Sequence, residues 1–232
     1  AAFVLTFVGV LFFANSVSYD LEKLLHFGHL FEGIAIGTIG LLILMPNVAR
    51  MWYLTILKPG IKVPVTKYAK SMGELFVHMF TQKRALGCDD NQFRWFEHFI
   101  LVIGYLSLLF TTVALNWFGT SSLLVIILGY VMSAIVFVVT VDFVGSRMKK
   151  KKEVSKHSQP SDIFFVVWLF FMGLSAFMVR LFIDLDILDS NKWMYIFHLT
   201  VLVQWALIIV PFGKWTHFLY RSFAMYFAKL KN

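Results

Sequence analysis

From Ser122 to Val144 the chain carries a single charged residue, Asp142, among side chains that are nearly all aliphatic or aromatic. A run of about 20 apolar residues matches the ~30 Å hydrocarbon core of a bilayer. Inside lipid every backbone N–H and C=O has to find its partner within the protein, and a helix achieves this within one segment. This run therefore predicts a membrane-crossing helix.

The same pattern recurs. Six apolar segments are read, at about 1–14, 24–57, 96–117, 122–144, 163–183 and 193–212. The first begins at Ala1, already apolar, with neither an initiator Met nor the basic region of a signal peptide, so upstream residues are expected. Residues 1–20 are read as a first, incomplete span and 21–232 as one membrane domain. Pro46 predicts a kink near the end of the second segment. The sixth is expected to continue as an interfacial helix to Lys229. Basic loops are expected at about 58–93 and 147–161, the first holding an amphipathic stretch, Tyr68–Phe80, suited to the membrane surface. The predicted fold is all-α: a polytopic transmembrane helical bundle of five to six spans.

Composition agrees. The chain is 59% hydrophobic and 15% charged, with a mean hydropathy of +0.76, more apolar surface than a soluble domain of this size can bury. The lone cysteine, Cys88, excludes a disulfide framework and a cysteine-ligated iron–sulfur cluster held by this chain alone.

Six crossings put both chain ends on one side. That side collects eight Lys or Arg between Arg50 and Arg94, six between Arg147 and Lys156, and Lys214, Arg221, Lys229 and Lys231. The opposite side has Lys23 and Lys192 against Asp20, Glu22, Asp184, Asp186 and Asp189. The positive-inside bias makes the basic side cytoplasmic. The net charge of +8 is thus an orientation signal and a docking face for a soluble partner, with no nucleic acid implied.

Seven histidines remain to be placed. His78 and His157 fall in basic loops. The other five lie in or at the ends of apolar segments, and topology sorts them by depth. His26 and His29 enter the second span, and His198 the sixth, from the acidic side. His98 enters the third span, and His217 closes the sixth, at the basic side. His198 and His217 are about 28 Å apart along a helix. Histidine within a membrane is costly and usually functional, and imidazole is a common axial ligand of haem iron. The sorting yields one pair near each face: His26 or His29 with His198, and His98 with His217. Two haems stacked across the membrane would conduct electrons.

Nineteen residues leave His198 and His217 about 100° apart around an ideal helix, so a distortion between them, near Pro211, is expected. Gly33, Gly37 and Gly40 share the face of His26 and His29, and serve either close helix packing or room for a flat macrocycle. Arg94, Arg180, Lys214 and Arg221 lie at the expected haem depths, where cations pair with propionates. For Arg180 the competing partner is Asp184, four residues on. Glu32, Glu97 and Asp142 are proton-relay candidates or paired structural carboxylates.

The run Arg94-Trp-Phe-Glu-His98-Phe-Ile-Leu-Val-Ile-Gly104, the pair Ser161-Asp162 followed by Phe171-Met-Gly-Leu-Ser175, and Phe197-His198 with Pro211-Phe-Gly-Lys-Trp-Thr-His217-Phe-Leu-Tyr-Arg221 together resemble a known family. It is that of nitrate-reductase gamma-subunit-like di-haem b-type membrane cytochromes. Within it the chain is most similar to the cytochrome subunits of heterodisulfide-reductase-like and quinone-interacting membrane-bound oxidoreductase complexes. The resemblance covers about residues 24–228 and is strongest from Arg94 onward. It implies two b haems in a helical bundle of a prokaryotic cytoplasmic membrane. These would pass electrons between menaquinone or another quinone and a soluble iron–sulfur or flavoprotein subunit docked on the basic face. His98, His198 and His217 match the family's ligand positions; the fourth ligand is His26 or His29.

Bis-histidine iron has no open coordination site and suits electron transfer. Three rival readings remain. A haem-free membrane anchor for a peripheral enzyme would show no visible absorbance. A transporter would need a polar path or broken helices in repeated halves, and the spans are apolar at their centres. A different metal at His26 and His29 would have too few ligands.

Overall fold

The computed structural model describes residues 2–81, 92–118, 121–149, 159–212 and 216–231. Among the described residues the regular structure is helical, without a strand. In chain order the helices are α1 (Ala2–Ser16), α2 (Leu21–Leu57), α3 (Val65–Thr81), α4 (Gln92–Phe118), α5 (Leu123–Lys149), α6 (Pro160–Asp184), α7 (Lys192–Phe212) and α8 (His217–Lys231). Four of them, α2, α5, α6 and α7, are long and apolar enough to cross a bilayer. The apolar stretches Phe3–Ser16 of α1 and Trp95–Thr111 of α4 are shorter. Phe12 is 77% exposed, Leu42 71% and Leu123 70%, an arrangement suited to lipid rather than water.

Local chemistry sets the helix ends. Asp20 caps α2: its carboxylate accepts from the Lys23 backbone N–H at 3.2 Å and its carbonyl from Leu24 N–H at 3.0 Å. The helix thus begins at Leu21, ahead of the Leu24 read from hydropathy. At α6, Pro160 takes the first turn, where a missing N–H costs nothing. Gln159 and Asp162 close a reciprocal capping box there.

The distortion expected between His198 and His217 is present, and near Pro46, where a kink is expected, the helix instead carries a π-helical segment. A π-helical segment occupies Ile39–Leu44 in α2, ending two residues before Pro46. A second occupies Trp205–Ile209 in α7, ending two residues before Pro211 and lying between His198 and His217 in sequence. A proline ring cannot sit beside the carbonyl four residues back and offers no N–H. Widening the preceding turn by one residue absorbs both defects.

The chain divides into two compact units. One comprises Ala1–Ile36 and Ile100–Gly213. Here α5 and α6 touch at the backbone: a methyl added at Gly173 would lie 2.6 Å from Phe137 N and 3.0 Å from Phe137 Cα. Gly104 brings α4 near α5 with a looser fit, the Val136 side chain being 3.1 Å and the Met132 carbonyl 3.5 Å from where its Cβ would be. Glycine at such crossings maximises dispersion contacts between helices that lipid does not otherwise drive together. Thr140 and Thr200, both fully buried, donate to the carbonyls of Val136 and Ile196 at 2.7 and 2.8 Å, so their hydroxyls need no outside partner. The Trp168 indole donates to the Val201 carbonyl at 3.1 Å, tying α6 to α7. Ala14, Leu24, Ile196 and Leu199 form the fully buried centre where α1, α2 and α7 meet.

The other unit comprises Gly37–Phe99 and Lys214–Asn232. Ile56, Leu75, Tyr226, Phe227 and Leu230 build its core from α2, α3 and α8. Tyr226 Oη donates to the Tyr68 carbonyl at 3.1 Å, Lys67 Nζ to the Leu230 carbonyl at 3.2 Å, and Lys229 pairs with Glu74. The Trp95 indole donates to the Thr81 carbonyl at 2.7 Å, fastening the start of α4 to the end of α3. The amphipathic stretch expected at Tyr68–Phe80 is the helix α3, with Ser71 and Leu75 buried and Met72, Phe76 and Phe80 exposed on another face.

Candidate functional site

Gly28 places α2 against α7. A Cβ there would fall 2.0 Å from Tyr195 Oη, so no other residue admits this approach without displacing the ring. His29 follows Gly28, and His198 lies three residues beyond Tyr195, about one turn along α7. The close contact therefore carries both histidines to one place. His29 and His198 line a common cavity of about 270 Å³ in the first unit, together with Glu32, Arg180, Tyr195 and Trp205. Apolar residues such as Leu25, Leu108, Val179 and Leu202 complete its wall. His26 does not line it and is exposed.

The two imidazoles have different partners. His198 Nδ1 is 2.9 Å from Ser175 Oγ, on α6, and Ser175 is fully buried. That leaves Nε2 of His198 for the cavity. His29 Nδ1 is buried without a hydrogen bond, and the nearest carboxylate, Glu32 Oε2, is 4.0 Å away. Arg180 is 8% exposed and pairs with Asp184, its Nε donating to Oδ2 at 3.0 Å. Its sequence partner is thus real, yet the side chain still lines the cavity beside Gly129.

This donor set fits haem b on chemical grounds: two imidazoles on one largely apolar cavity, one already oriented through its second nitrogen and the other with a buried unsatisfied nitrogen, beside a cation. It offers less to a metal bound by protein alone, since no group of three or more His, Cys, Asp or Glu that could hold an ion occurs among the described residues.

The second pair lies in the other unit. His98, on α4, and His217, at the start of α8, are both exposed. Arg221 is one turn from His217 on the same face of α8, and is also exposed. Arg221 lines a cavity of about 460 Å³ with Ser71, Glu74, His78 and Lys229. The Arg94 side chain, Lys214 and His157 lie outside the described residues. A methyl at Gly33, Gly37 or Gly40 would meet nothing within 4 Å, so close packing among the described residues does not explain these glycines.

Sequence reasoning passed over Ser175 and Gly28. Ser175 stood inside the quoted Phe171–Ser175 run, and Gly28 directly before a candidate ligand; neither residue type announces such a role alone.

No protein-family model matches the chain, and no curated protein or solved structure is significantly similar to it.

Proposed function

We propose that the chain is a membrane-embedded cytochrome b subunit of a respiratory oxidoreductase complex. It carries electrons through two bis-histidine b haems between membrane quinone and a soluble iron–sulfur or flavoprotein partner. The observation that carries this reading is the shared cavity of His29 and His198, where depth along the helices pairs His198 with either His26 or His29. Bound haem would supply one-electron chemistry without an open coordination site.

The residues would divide the work. His198, steadied by Ser175, and His29 hold the iron from two helices. Arg180 places a positive charge at the cavity wall, partly balanced by Asp184. Glu32 is the carboxylate at hand to accept or release the proton that quinone chemistry requires. His98 and His217 would hold the second haem, with Arg221 one turn from His217 to pair with a propionate. The basic segments after α2 and α5 receive the soluble partner.

Addition of a water-soluble menaquinol analogue to the purified protein tests the reading. The visible absorption of reduced haem b is expected to appear, and to diminish in His198→Ala. Haem that dithionite reduces but quinol does not would refute the quinone link.

A further inference from the structure

We infer that Ser175 is a positioning residue that orients His198 through its Nδ1 and sets the potential of the haem that His198 would hold; the inference rests on the cytochrome reading above. A serine in an apolar helix ordinarily satisfies itself by donating to a carbonyl of the preceding turn. Ser133 does this in α5, its hydroxyl bonding to the carbonyls of Gly129 and Tyr130. Ser175 does it too, with Oγ 3.3 Å from the Met172 carbonyl, but its oxygen also meets His198 Nδ1 at 2.9 Å.

One hydroxyl has one proton. With that proton given to Met172, the contact to His198 is completed by Nδ1–H donating to a lone pair of Ser175 Oγ. A protonated Nδ1 leaves the Nε2 lone pair directed elsewhere on the ring, available on the cavity side. With iron on Nε2 the ring proton would sit on Nδ1, and Ser175 Oγ is placed to accept it and to restrain rotation of the ring. A hydrogen bond accepted from Nδ1–H also raises the basicity of Nε2. A more basic ligand stabilises the oxidised iron and lowers the potential. Among the described residues none hydrogen-bonds His29 Nδ1, the nearest carboxylate, Glu32, being 4.0 Å away. The two imidazoles are therefore unequal, and His198 is the one anchored through α6.

The test is a redox titration of the purified protein followed by visible absorption, comparing wild type with Ser175→Ala, Ser175→Cys and Ser133→Ala. His198→Ala identifies which titrating component belongs to this haem. In Ser175→Ala that component is expected to shift to more positive potential while the other stays, and its haem is expected to be retained about 10- to 100-fold less tightly. Ser175→Cys, nearly isosteric but a weaker acceptor, shifts the same component in the same direction by less, and stands in if the alanine variant does not fold. Ser133→Ala, which removes an equally buried hydroxyl touching no histidine, leaves both components in place. Unchanged potentials in Ser175→Ala and Ser175→Cys, in protein that binds haem, would overturn the inference and leave the cytochrome reading standing. Absence of haem from wild type would overturn both.

Discussion

Gly28→Ala is the sharpest structural perturbation the site permits. The new Cβ would lie 2.0 Å from Tyr195 Oη and 3.2 Å from Tyr195 Cζ. Tyr195 is buried, with Leu199 also within 3.8 Å of the new atom, so the ring has to move or the helices part. Overpacking of this kind costs about 1–3 kcal/mol. Alanine returns up to about 1 kcal/mol of helix propensity; with the overpacking cost near the middle of its range, the net loss is about 1 kcal/mol. The worst contact is to the hydroxyl oxygen, which makes no hydrogen bond to a described residue. Tyr195→Phe alone should therefore be close to neutral, and adding it to Gly28→Ala should recover about 1 kcal/mol, a coupling within the range expected of touching residues. Unfolding from mixed micelles by increasing dodecyl sulfate, measured for both single variants and the double, reads these values. A Gly28→Ala protein as stable as wild type, or a double variant no better than Gly28→Ala, would refute the argued approach of α2 to α7.

Three further predictions follow from the same geometry. His29→Ala is expected to lose one of two haems and His26→Ala neither, by pyridine haemochrome on purified variants, because only His29 shares the cavity with His198. Gly173→Ala should destabilise by about 2 kcal/mol in the same micelle assay, the upper end for overpacking less the helix propensity that alanine returns, since the clash is with the backbone of Phe137, which cannot rotate away. Asp20 has its carboxyl held below its ordinary value of 3.8, chiefly by the Lys23 backbone N–H. Its capping contribution is therefore full above that value and is lost as pH falls through the lowered one. Hydrogen exchange at the first turn of α2 should be faster in Asp20→Ala than in wild type near neutral pH, with the difference closing on strong acidification.

Four of the six expected spans were legible because hydropathy reports solvent, and for the chain's most apolar stretches solvent decides the structure; the apolar stretches of the first and third, Phe3–Ser16 and Trp95–Thr111, are shorter. Pro46 and Pro211 announced their distortions because a missing N–H acts locally, whatever surrounds it. The grouping of His198 with a second-span histidine was legible too, since depth along a helix follows from residue count. What hydropathy does not contain is rotation. His26 and His29 are about 60° apart around α2, and only the packing of Gly28 on Tyr195 decides which one meets His198. For the same reason the conspicuous glycines at 33, 37 and 40 drew attention away from Gly28, where the close approach occurs. Ser175 is 23 residues from His198 in sequence and on a different helix; its role exists only once α6 lies beside α7.

The most direct measurement is a pyridine haemochrome determination on the purified chain, expressed with ample haem supply and shown to be folded. Two b-type haems per chain are expected, one lost in His198→Ala. A folded preparation with no haem would contradict the account and place the chain among haem-free membrane anchors.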